Sequence, residues 1–127
     1  MERRIVPAES PYVATVGYSR AIRVGPHVHV AGTAPIMPGE EDPPPDPYEQ
    51  AKRCLEIVLA ALAELGAGPE HVVRTRAYLT NADDWKEVGR AHGEVFADVR
   101  PASAMVVVSS LLDPRWRVEL EVDALVA

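Results

Sequence analysis

Near the C-terminus the chain reads Arg100-Pro101-Ala102-Ser103-Ala104-Met105-Val106-Val107-Val108, and soon after Val118-Glu119-Leu120-Glu121-Val122. The first segment opens at a proline and is then apolar with a single hydroxyl. The second alternates apolar and acidic residues, the period of a strand with one dry face. Two neighbouring strands of this kind would set one carboxylate, Glu119, beside one small polar side chain, Ser103. A carboxylate can position water and take its proton. A serine with no base or orienting acid nearby in sequence is a poor nucleophile. The chemistry expected is therefore positioning and proton transfer rather than covalent catalysis.

Other reactive side chains point elsewhere. Cys54 is the only cysteine and falls on the apolar face of a predicted helix, where a thiol is buried and inert. His27 and His29 share a strand face, but two histidines without a third ligand read as surface or interface residues. No Cys/His spacing resembles a zinc site. No metal or cofactor is expected.

These residues need elements to hold them. Tyr18 to Val24 reads as a strand ending at Gly25-Pro26, and His27 to Ala31 alternates again, which predicts an antiparallel hairpin closed by Gly32-Thr33. A glycine at a strand end lets a ligand or another backbone approach. Residues 35–47 hold six of the twelve prolines and form a stiff, acidic loop. Asp46-Pro47 opens a helix as cap and first helical residue. Ala51, Cys54, Leu55, Val58, Leu62 and Leu65 follow at helical spacing, and Gly66 ends it. His71 to Leu79 is a strand. Asn81 to Asp84 offers caps for a second helix, with Trp85, Val88, His92, Val95 and Phe96 inward. Residues 102–110 form a strand, and Trp116 to Val126 is the last.

The predicted order is strand, strand, helix, strand, helix, strand, strand, an α+β domain spanning residues 1–127 with one sheet and two helices. Two helices cover one sheet face. The strand after Pro101 is apolar on both sides, so its second face needs a cover that the chain does not supply. Another copy of the protein is the simplest one.

Composition excludes several classes. The net charge is −6 and the basic residues are scattered, which argues against a nucleic-acid partner. No apolar run approaches a membrane span. Met1-Glu2-Arg3-Arg4 is not followed by an uninterrupted apolar stretch, so no signal peptide is expected and the default compartment is the cytoplasm.

From about Tyr18 onward the chain resembles the RidA/YjgF family, also called the endoribonuclease L-PSP family. The resemblance rests on Gly17-Tyr18, Val28-x-Val30-x-Gly32, Gln50-Ala51-x-x-x-Leu55, Arg100-Pro101-Ala102 and Val118-Glu119-Leu120-Glu121, in that order and spacing. It implies a chorismate-mutase-like fold, a homotrimer, and ligand clefts between subunits. The best-known members hydrolyse 2-imino and enamine acids to 2-keto acids and ammonia. Tyr18 matches a tyrosine lining the cleft, Glu119 the glutamate that orients water, and Gly32 a glycine whose backbone faces the ligand, with Thr33 beside it. The arginine that clamps the substrate carboxylate in deaminating members is Ser103 here. The cleft cysteine is Met105, the asparagine of the second helix is Gly89, and the serine before the ligand-facing glycine is Ala31. A serine hydroxyl does not replace two charge-assisted bonds.

Arg20, two residues from Tyr18, and Arg76 and His92, on elements that border the cleft in the family, are candidates to serve instead. Each has a plainer role available: interface ion pairs for the arginines, packing for His92. Three functions fit to different degrees. One is a hydrolytic deaminase of a small imine or enamine. A second is a non-catalytic trimer that binds a metabolite. The third, ribonuclease or translation inhibition, is opposed by the acidic charge and the lack of a basic, aromatic-rich surface.

Overall fold

The computed structural model describes residues 1–127. Its strands are β1 (Arg3–Pro7), β2 (Ser19–Val24), β3 (His27–Thr33), β4 (Val72–Leu79), β5 (Ala102–Val107) and β6 (Val118–Leu125). Its helices are α1 (Val13–Val16), α2 (Pro47–Glu64) and α3 (Trp85–Phe96). The strands form one mixed sheet in the order β1-β2-β3-β6-β4-β5, in which β4 and β5 run parallel and every other pair is antiparallel.

Helix α2 forms where the apolar spacing places it. The Asp46 carboxylate accepts from the Tyr48 backbone N–H, Pro47 occupies the first turn, and Gly66 follows the helix at φ 77°, a left-handed position that suits glycine. Cys54, Leu55, Val58 and Leu62 are buried against the sheet, and Val88, Ala91 and Phe96 of α3 complete the same core. On β6 the alternation is realised: Val118, Leu120, Val122 and Ala124 are buried beneath the helices, while Glu119, Glu121 and Asp123 face the other side. Burying each such Val or Leu contributes about 1.5–3 kcal/mol.

The proline-rich loop is tied down by Gln50, which is fully buried. Its Nε2 donates to the carbonyls of Pro44 and Arg115 at 2.8 and 3.0 Å, and its Oε1 accepts from the Arg117 N–H at 2.7 Å. Arg117 in turn makes a bidentate pair with the buried Asp84, at 2.9 and 2.7 Å.

Four features depart from the sequence reading. Strand β1 and helix α1 lie outside the sequence reading; they are short, and β1 is exposed at every residue but Val6. The strand after Pro101 ends at Val107 rather than residue 110 and lies at the sheet edge with all six residues exposed. Trp85 is not inward: it is 55% exposed at the first turn of α3, and Asp84 turns inward instead, drawn by the Arg117 guanidinium. Lastly, β5 and β6 are not neighbours, because β4 lies between them.

Candidate functional site

The hairpin strand β3 carries a bulge. Val30 pairs with Val122, but it is Thr33, not residue 32, that pairs with Leu120. The extra residue bends the strand at Ala31-Gly32. Gly32 has no side chain, and the space beside it is taken by Glu119: a Cβ on residue 32 would lie 2.7 Å from Glu119 Oε1. On the other side of the bulge the Arg20 guanidinium donates to the Gly32 carbonyl. Glu119, Gly32 and Arg20 therefore form one unit at the bulge, and Tyr18 lies two residues before Arg20, just ahead of β2.

Burial pushes the Glu119 carboxyl above the usual carboxylate range; Arg20 opposes the shift and Glu121 adds to it. Burial pulls the Arg20 guanidinium down, against the influence of Tyr18 and Glu119. A carboxylate made more basic by its surroundings, and facing away from the helices, suits proton abstraction from water.

Other predicted residues fall outside this unit. Thr33 is fully buried and its hydroxyl donates to the Ala31 carbonyl at 2.7 Å, so it shapes the bulge rather than facing a ligand. Arg76 is committed to an ion pair with Glu121, whose Oε1 also accepts from Tyr78 Oη at 2.7 Å. This cluster borders a depression of about 390 Å³ lined by Arg3, Ser19, His29, Glu121 and Asp123 among others.

Ser103 is not beside Glu119. It pairs with Thr75, whereas Glu119 pairs with Tyr78, and residues 75 and 78 of one strand point to opposite faces. Ser103 is on the helix side of the sheet, and Glu119 is on the open side. On its own side Ser103 meets groups that sequence reasoning did not connect. Thr75 Oγ1 lies 2.8 Å from Ser103 Oγ and 2.8 Å from His92 Nε2. The His92 ring leans on Phe96 with centroids 4.7 Å apart, and burial lowers its pKa. The only sequence signal for this contact was a threonine at a core-facing position of a strand. Met105 also faces the helices, with its Cε 3.7 Å from where a Cβ on Gly89 would be. Cys54 is buried and its thiol is pushed strongly upward by burial, which makes it inert.

The family model described as endoribonuclease L-PSP matches residues 8–126. The chain belongs to this family, the RidA/YjgF family. It is 40% identical over 121 residues to an uncharacterised protein of Streptomyces coelicolor, covering 95% of this chain and 90% of that one. A RutC family protein of Pyrococcus abyssi is 39% identical over 95 residues, 74% of this chain and 75% of its own. Among solved structures, a YjgF/YER057c/UK114 family member from Mycobacterium tuberculosis superimposes with a TM-score of 0.88 at 42% identity, covering 98% of this chain and 100% of that one. The mixed sheet with few helices is thus the RidA/YjgF fold. No helix is long and apolar enough to cross a membrane.

Proposed function

We propose that this RidA/YjgF member is a homotrimer whose intersubunit clefts hydrolyse a small imine or enamine that lacks the carboxylate usual for the family. The observation that carries the reading is the Glu119–Gly32–Arg20 unit, where a carboxylate of raised pKa is held against a strand bulge on the open face. In the reaction, Glu119 takes a proton from water as the oxygen bonds to the carbon of the protonated imine, giving a carbinolamine. That proton passes from Glu119 to nitrogen, the C–N bond breaks as the hydroxyl gives its proton back to Glu119, and ammonia leaves a carbonyl product. Tyr18 contacts the substrate. Water attack on an imine needs little beyond positioning and proton transfer.

The trimer has its own support. Glu119 and Ser103 of one chain lie on opposite faces, so a cleft using both needs two copies. Strand β5 also leaves Met105, Val106 and Val107 exposed at 37%, 41% and 56%, more apolar edge than an isolated sheet carries well. Light scattering is expected to give three times the chain mass, and a stable monomer at micromolar concentration removes the intersubunit site.

Activity is tested by coupling to threonine dehydratase acting on serine. Little acceleration of 2-aminoacrylate hydrolysis is expected, with some gained by Ser103→Arg. Hydrolysis as fast as that of arginine-bearing relatives would overturn the altered substrate class. The uncharged Ser103 position also favours a second reading, a non-catalytic metabolite-binding trimer. Glu119→Gln separates the two: it abolishes hydrolysis in the first and leaves binding in the second. The cytoplasm is the compartment that fits either, and the net charge of −6 supports neither nuclease activity nor nucleic-acid binding.

A further inference from the structure

The contact between Ser103, Thr75 and His92 has a property that none of the three has alone. A hydroxyl carries one proton and accepts through its lone pairs. Thr75 Oγ1, buried between the other two, can donate in only one direction at a time. If Thr75 donates to Ser103, it must accept from His92 Nε2–H, and the Ser103 proton is then free to point outward. If Thr75 donates to Nε2, Ser103 donates to Thr75 and shows only lone pairs outward. The two 2.8 Å contacts fit either arrangement, and the tautomer of His92 selects between them. The imidazole therefore sets what an exposed serine offers a ligand. Phe96 holds the ring at its angle, and the adjacent register of Thr75 and Ser103 fixes the second contact.

We propose that His92 and Thr75 orient Ser103 as an uncharged hydrogen-bond donor, and that the end group bound there is a neutral carbonyl, as in an amide or ester, rather than a carboxylate. The proposal rests on the reading that the cleft ligand reaches Ser103. A carboxylate loses far more hydration on binding than a neutral carbonyl does. An arginine offsets that with two charge-assisted bonds; one hydroxyl fed by a neutral relay does not. No charged side chain acts on His92, and its only perturbation is burial, which keeps it neutral at pH 7. Thr75 and His92 act through Ser103 and are positioning residues.

The test uses two probes of matched size, pyruvamide and pyruvate, titrated into the full-length protein by calorimetry. Pyruvamide is expected to bind about tenfold more tightly, the effect of one well-made hydrogen bond. Thr75→Val keeps the shape and removes the relay, and the preference should fall to about one. Thr75→Ser should retain it, and Ser103→Arg should reverse it. Imidazole ¹⁵N spectra of the free protein give a second readout, with His92 expected as the Nε2–H tautomer. Tighter pyruvate binding by the unmodified protein, an unchanged preference in Thr75→Val, or an Nδ1–H tautomer each overturns the relay while leaving the cleft reading intact. Binding of neither probe overturns both.

Discussion

The Glu119 carboxylate stands where a side chain on residue 32 would stand, 2.7 Å from the Cβ position of Gly32. Glycine is required there by a functional group of the same chain, not by backbone conformation, since Gly32 is not among the glycines of positive φ. Gly32→Ala must displace the end of a flexible side chain, which is inexpensive. Stability should change by less than about 1 kcal/mol, while any hydrolytic activity falls as far as it does in Glu119→Gln. The double variant should be no worse than either single one. A stability loss several times larger, or additive losses of activity, would show that Gly32 does something other than make room for Glu119.

Glu119 also has a pH signature. Burial raises its folded-state pKa above the unfolded value of about 4.3. Between those two values the folded protein binds more protons than the unfolded one, so stability falls as pH rises through that window and levels off above it. Glu119→Gln removes this contribution. Denaturant melts are expected to show the variant gaining on the parent protein from pH 4 to pH 7. A gain by the parent instead would mean that Arg20 stabilises the ionised form more than burial penalises it, and that Glu119 is a weaker base than proposed.

Gln50 satisfies three backbone groups from a fully buried position. Gln50→Leu preserves bulk but leaves two carbonyls and one N–H without partners, at about 1–3 kcal/mol for each that stays dry. The expected loss is about 3 kcal/mol in a urea melt, with faster proteolysis in the 35–46 loop. A melt unchanged within error would show that water replaces the glutamine.

Gly89 sits inside α3 with only an ordinary contact waiting for a methyl group, Met105 Cε at 3.7 Å. Glycine costs a helix interior about 1 kcal/mol relative to alanine. Gly89→Ala should therefore raise stability by nearly that much, read as a higher thermal midpoint. A loss would mean that Met105 cannot share the space and that the Gly89–Met105 pairing is tightly packed.

How much of this was legible in the chain depends on how local each feature is. The face of α2, its Asp46 cap, the Gly66 terminus and the two faces of β6 follow from spacing within one element, and the sequence alone determined them. Membership of the RidA/YjgF family was also readable, from the order of motifs between Gly17 and Glu121. The relation of Ser103 to Glu119 was not. The short connection between their strands pointed to neighbours, but β4 pairs with both and takes the place between them, a choice made by contacts far apart in sequence. A strand's side chains alternate faces, so the pairing partner and register of each residue decide which groups meet. The resemblance already put Glu119 and Gly32 in one cleft; only the tertiary structure could place Ser103 with Thr75 and His92, and the Arg20 guanidinium on the Gly32 carbonyl.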